Sequence, residues 1–135
     1  MIQAKRSEPA PERLRAVVAA ALEKQAEGIE VVDLRGLSGI TDYFVICHGG
    51  TARQVQAIVD EIDRRLGEGR IYPDHIEGTR DAGWVLMDYL DFVVHVFTRD
   101  RRSFYALERL WADAPRLDVL AASRRAAPRR KATKR

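Results

Sequence analysis

A single mixed α/β domain followed by a basic tail is what this sequence predicts, and three observations carry the prediction. Its 135 residues are the length of one ordinary domain, and 46% are hydrophobic, enough for a core without disulfides or metals. Apolar residues recur at helical spacing near 11–28 and 51–69, whereas apolar runs at 42–47 and 83–98 read as strands. Charge divides the chain: residues 115–135 carry a balance of +7 and residues 1–114 one of −4, so the net +3 hides a mildly acidic body.

Residues 1–10 are expected to be a flexible lead-in. In "PERLRAVVAAALEKQAEG" (11–28) Pro11 suits a first helical turn, Leu14, Val17, Val18, Ala21 and Leu22 share one face, and Gly28 is the expected stop. "IEVVDL" (29–34) is a first strand and "LRGLSGIT" a loop. "DYFVIC" (42–47) is a second strand, apolar almost throughout and so expected to be covered on both faces. Thr51 and Gln54 form a capping-box pattern, followed at helical spacing by Val55, Ile58, Val59, Ile62 and Leu66, with Gly67 or Gly69 as the end. A weaker strand is expected near 70–76, where Pro73 argues for an edge. Strands at 83–88 and 91–98 follow. The last helix runs from Arg101, capped by Asp100, through Phe104, Leu107 and Trp111 to Pro115. The order is α-β-β-α-β-β-β-α, a mixed sheet of about five strands with helices. The domain is expected to span 11–114 and the tail, 115–135, to be disordered.

The single cysteine, Cys47, excludes an internal disulfide and fits a reducing compartment. The longest unbroken apolar run, "AVVAAAL" (16–22), is too short to span a bilayer, and no N-terminal stretch has a signal-peptide pattern. A soluble, cytoplasmic protein is expected, with no membrane association.

"GWVLMDYLDFVVHVF" (83–97) is the most apolar part of the chain, yet it holds Asp88, Asp91 and His95. A two-residue turn at 89–90 would set Asp88 opposite Asp91, Leu86 opposite Val93 and Trp84 opposite His95. One face then shows Trp84, Leu86, Asp88, Asp91, Val93 and His95. The other shows Val85, Met87, Phe92, Val94 and Val96, which are wholly apolar and must pack on helices. An apolar centre with an acidic end suits a partner-binding face. The plainer alternative is that the aspartates flank a solvated turn while the tryptophan and histidine are ordinary core residues.

A catalytic reading starts from "HGGTARQV" and "DYLD". A Gly-Gly turn before a helix can cradle phosphate, and paired aspartates can hold a metal for nucleotidyl transfer. The loop lacks P-loop spacing, no Asp-x-Asp follows it, the three histidines are scattered, and no serine or cysteine sits in a nucleophile motif. A nucleotidyltransferase-like enzyme using Asp88 and Asp91 for metal remains the alternative.

Four signatures in order, "TDYFVI", "GT" with Arg53-Gln54-Val55, "EG" with Trp84, and "LERLW", make residues 11–112 resemble the ribosomal silencing factor, or iojap-like, family. The resemblance implies a nucleotidyltransferase-like fold without catalytic machinery, no cofactor and no metal. It implies a translation repressor that binds the large ribosomal subunit through a subunit-interface protein, the fourteenth in large-subunit numbering, and sterically blocks the small subunit. The resemblance and the hairpin face agree on Trp84 and Asp88 as partner contacts, and the face adds Leu86, Asp91, Val93 and His95. One departure is Leu90, where the family usually has glycine. A sheet face left open also predicts a homodimer in the free protein. The tail lies outside the resemblance; Arg124, Arg125, Arg129, Arg130 and Lys131 suit ribosomal RNA phosphates, or serve only solubility.

Overall fold

The computed structural model describes residues 12–119. Helix α1 (Glu12–Glu23) buries Leu14, Val17, Val18 and Ala21 as its periodicity predicts, together with Ala20, whereas Leu22, expected on the same face, is 43% exposed. It stops before Gly28. Gln25 takes the left-handed conformation, with φ 63°, and the Ala26 amide donates back to the Ala21 carbonyl, a Schellman-type closure. Gly28 instead sits within strand β1 (Glu27–Asp33), at an irregularity in its pairing. Gly28 has φ 60°, a backbone conformation that favours glycine, and a Cβ there would meet the end of the Arg102 side chain at 2.5 Å, so the path of the strand, not a helix end, calls for the glycine.

Strand β2 (Tyr43–Gly49) leads into helix α2 (Ala52–Glu68). The capping pattern is realised: the Gln54 amide donates to Thr51 Oγ1 at 3.1 Å, and Gln54 Oε1 accepts the Gly50 amide at 2.8 Å. Val55, Ile58, Val59, Ile62 and Leu66 are buried, and Gly69 caps the end. Strands β3 (His75–Thr79), β4 (Trp84–Asp88) and β5 (Phe92–Thr98) follow, then the short helices α3 (Arg99–Tyr105) and α4 (Leu107–Leu110) and strand β6 (Arg116–Leu117).

The sheet order is β3-β4-β5-β2-β1-β6, with β2 and β5 parallel and every other pair antiparallel. The edge strand expected near 70–76 lies instead at β3, after Pro73, where the chain no longer lacks a backbone donor. Helices α1 and α2 cover one face, and the main core there includes Val85, Met87, Phe92, Val94 and Val96, the set expected against helices. Residues 107–114 close part of the opposite face, over Val32, Leu34, Ile46 and Phe97.

Three further expectations change. The final helix is two, broken at Ala106 with φ 45°, and Asp100 lies in the first turn of α3 while Thr98 occupies the cap position without a side-chain bond. The sheet has six strands, because the segment assigned to the tail contributes β6. Pro115 accepts the Asp33 amide at 2.8 Å, Arg116 reaches Glu30 at 3.0 Å, and Val119 is buried in the main core. The packed part of the described chain therefore runs on to Val119. A two-residue strand carries too little periodicity to be seen from sequence. The tail contacts expected at Arg124, Arg125, Arg129, Arg130 and Lys131 lie outside the described residues.

The third change is the hairpin register. Trp84 pairs with Phe97, Leu86 with His95 and Asp88 with Val93, two residues from the expected pairing. The turn residues are Leu90 and Asp91: the Tyr89 amide bonds to the Phe92 carbonyl, and the Asp91 amide donates to the Tyr89 carbonyl around Leu90 at φ 76°. A shift of two preserves the faces, since side chains alternate with period two.

Candidate docking face

The face opposite α1 and α2 begins at the β3 edge with His75, Glu77 and Thr79, which pair with Asp88, Leu86 and Trp84. It continues through Val93, His95 and Phe97 to Phe44, Ile46 and His48 on β2. Its β2–β5 half is roofed by the C-terminal segment, and Trp111 meets Phe44 edge-on at 6.2 Å. The β3–β4 half is open. At the boundary Trp84 stacks on Phe97 at 5.2 Å and packs on Tyr105 of α3 at 4.6 Å. A groove of about 210 Å³ runs beside it, lined by Glu77, Gly78, Ala82, Trp84, Leu86 and Tyr105. Gly78 is required there: it has φ 84°, and a Cβ would collide with the Trp84 carbonyl oxygen.

The six residues singled out in the hairpin have different surroundings. Trp84, Leu86 and Asp88 are partly exposed on the open half. Val93 and His95 share that face but are only 7% and 4% exposed, so the free chain presents little of either to a partner. Asp91 leaves the face. It pairs with Arg13 of α1, whose guanidinium also lies 5.6 Å from the centre of the Phe92 ring. Asp88 does not meet Asp91 as the expected register had it; Asp88 Oδ1 accepts the Leu90 amide at 2.8 Å, bracing the turn. The two carboxylates offered for a metal thus serve a turn and an ion pair. Among the described residues no group of three or more His, Cys, Asp or Glu side chains is arranged to hold a metal ion.

Charge concentrates at the open edge. His75 Nε2 lies 2.9 Å from Glu77, and Nδ1 lies 3.4 Å from Asp74 and 3.7 Å from Asp88. Its bond to Asp74, helped by the charges of Asp88 and Glu77, raises the imidazole pKa. His95 moves the other way: burial lowers its pKa to about 4, so it is neutral at physiological pH. Burial likewise pushes the Cys47 thiol up to about 12, which leaves it an unreactive core residue.

Sequence reasoning missed Phe44, Phe97, Tyr105, His75 and Glu77 as parts of this face. The alternation Val93, His95, Phe97 contained the signal for Phe97. Tyr105 had none, because only the left-handed break at Ala106 ends α3 where its ring reaches Trp84.

These features define the class: one α/β domain whose mixed sheet has a helix-covered face and a half-open aromatic face. The family described as "Ribosomal silencing factor during starvation" matches residues 7–135. The ribosomal silencing factor RsfS of Bacillus subtilis is 48% identical over 106 residues, 78% of this chain and 90% of that protein. A crystal structure of a Bacillus halodurans protein superposes with a TM-score of 0.70 at 41% identity, covering 79% of this chain and 97% of that one. More distantly, the mouse protein named mitochondrial assembly of ribosomal large subunit protein 1 is 29% identical over 66% of this chain and 40% of its own length. The chain belongs to the ribosomal silencing factor family. No helix among the described residues is long and apolar enough to cross a membrane.

Proposed function

We propose that this protein represses translation in the cytoplasm, without catalysis, by docking its open sheet face on the large ribosomal subunit. It would seat on the subunit-interface protein numbered fourteenth and exclude the small subunit sterically. The observation that carries the reading is the half-open face centred on Trp84, Leu86 and Tyr105, with carboxylates at its rim. An aromatic anchor beside apolar neighbours is where binding energy concentrates, and acidic rim groups favour encounter with a basic ribosomal protein. The names of the relatives, which speak of ribosomal silencing and of large-subunit assembly, support the same partner.

Sedimentation with separated ribosomal subunits tests the proposal. The protein should travel with the large subunit and reduce its joining to the small one. Trp84→Ala should cost at least about 2 kcal/mol of large-subunit binding while the fold persists. Unchanged affinity in a folded variant would sink the assignment. The same face supports a homodimer in the free protein, competing with ribosomal docking, because exposed apolar surface favours self-association. Sedimentation equilibrium at high concentration should show that dimer; a strict monomer counts against it. Metal-dependent turnover of nucleoside triphosphates would instead favour the nucleotidyltransferase-like alternative.

A further inference from the structure

His95 and Trp84 are not strand partners; they touch diagonally across the β4–β5 pair. The Trp84 indole Nε1–H donates to His95 Nδ1 at 3.2 Å. For Nδ1 to accept, the neutral ring must carry its proton on Nε2. That Nε2–H is buried and has no hydrogen-bond partner among the described residues. Phe44 stands edge-on to the same ring at 4.5 Å, and Phe97 lies nearly parallel to it at 6.2 Å.

An unpaired buried N–H is a net cost to folding. A phenylalanine ring in this aromatic setting would carry no such cost and would stack on the same neighbours. Packing alone therefore does not account for an imidazole here. Among the described residues the imidazole's one polar contact is with Trp84, whose ring otherwise meets Phe97, Tyr105 and the imidazole itself. Stacking contacts tolerate sliding and ring flips, whereas a directed hydrogen bond selects one orientation.

We infer that His95 is a positioning residue: it holds the Trp84 indole in one orientation and so pre-organises the docking face. The inference rests on the proposed large-subunit docking. Pre-organisation acts by removing, before binding, the side-chain freedom that docking would otherwise have to freeze. Without the Nδ1 acceptor the indole N–H loses the partner that fixes it, and the ring of the partly exposed Trp84 can turn its N–H toward water. The ring then samples several orientations.

Two variants and two readouts test this on the full chain. His95→Phe removes the acceptor and keeps the volume. His95→Asn keeps an acceptor, because its amide oxygen is attached to Cγ as Nδ1 is. The first readout is the Trp84 indole resonance in a ¹⁵N–¹H spectrum, assigned with Trp84→Phe. The second is affinity for isolated large subunits. His95→Phe should fold with undiminished urea resistance at neutral pH, shift or broaden the Trp84 resonance, and bind about tenfold more weakly. His95→Asn should be less stable, yet keep the resonance near its native position and bind within about threefold of wild type. Wild-type affinity in His95→Phe, lost affinity with an unmoved Trp84 resonance, or a folded His95→Asn without rescue each overturns the inference. So does a His95→Phe chain that fails to fold, since the imidazole would then be a packing requirement. Failure of the wild type to bind large subunits overturns the docking proposal itself, and the pre-organisation claim with it.

Discussion

Acidification should destabilise this protein through His95, by an amount that one substitution removes. In the unfolded chain the imidazole titrates near 6.5, and in the fold, where burial disfavours its charged form, near 4. Between those values the unfolded state holds a proton that the native state lacks. Stability therefore rises with pH across this window and is lost as pH falls through it. Above about pH 6.5 both states are neutral at this site and the contribution is flat. Going from about pH 7.5 to about pH 5, a shift of this size is worth about 2 kcal/mol. His48, lowered by burial and then by the nearby Arg102 charge, adds a loss of the same sign. His75, raised by its bond to Asp74, opposes both, since its stabilisation is present below 6.5 and disappears as pH rises through its folded value. Glu61, held down to about 2 by its bonds to Arg64 and Arg65, loses its contribution only below this window. Comparing wild type with His95→Phe cancels these shared terms. Urea unfolding at about pH 7.5, 6 and 5 should show wild type losing about 2 kcal/mol more than the variant. Equal losses would refute a buried, neutral imidazole.

Three further outcomes follow from the same contacts. Leu90→Gly should stabilise the fold by about 1 kcal/mol, because a leucine at φ 76° is strained and its side chain is largely exposed; thermal melting reads the change. Gly78→Ala should destabilise by about 2 kcal/mol or more, since the added Cβ meets the Trp84 carbonyl and the position has positive φ; a near-native melting temperature would contradict the β3–β4 register. Deleting 120–135, which spares β6 and Val119, should leave the fold intact and flatten the salt dependence of large-subunit binding. Each lost phosphate contact removes about 0.9 from the log–log slope on a B-form duplex and about 0.7 on single strands. Identical slopes for the two proteins would mean that the tail touches no phosphate.

The pattern of apolar residues by itself determined the helix-facing side of the sheet. Val85, Met87, Phe92, Val94 and Val96 are buried under any hairpin register that differs by two, because side chains alternate with that period. The capping of α2 was equally legible, since Thr51 and Gln54 act within one turn of each other. The pairing itself was not. The turn at Leu90 and Asp91 is braced from another element, by Thr41 Oγ1 on the Leu90 carbonyl and the Asp42 amide on the Asp91 carbonyl, and no local turn rule contains those bonds. Asp91 is drawn off the open face by Arg13, 78 residues away in sequence. Whether the opposite face would be open or covered also lay beyond local pattern. A two-residue strand at 116–117 and a left-handed break at Ala106 bring Trp111 and Tyr105 over one half of it and leave Trp84 at the margin. Local periodicity specifies which side of a strand is apolar; only contacts between distant segments decide what that side meets.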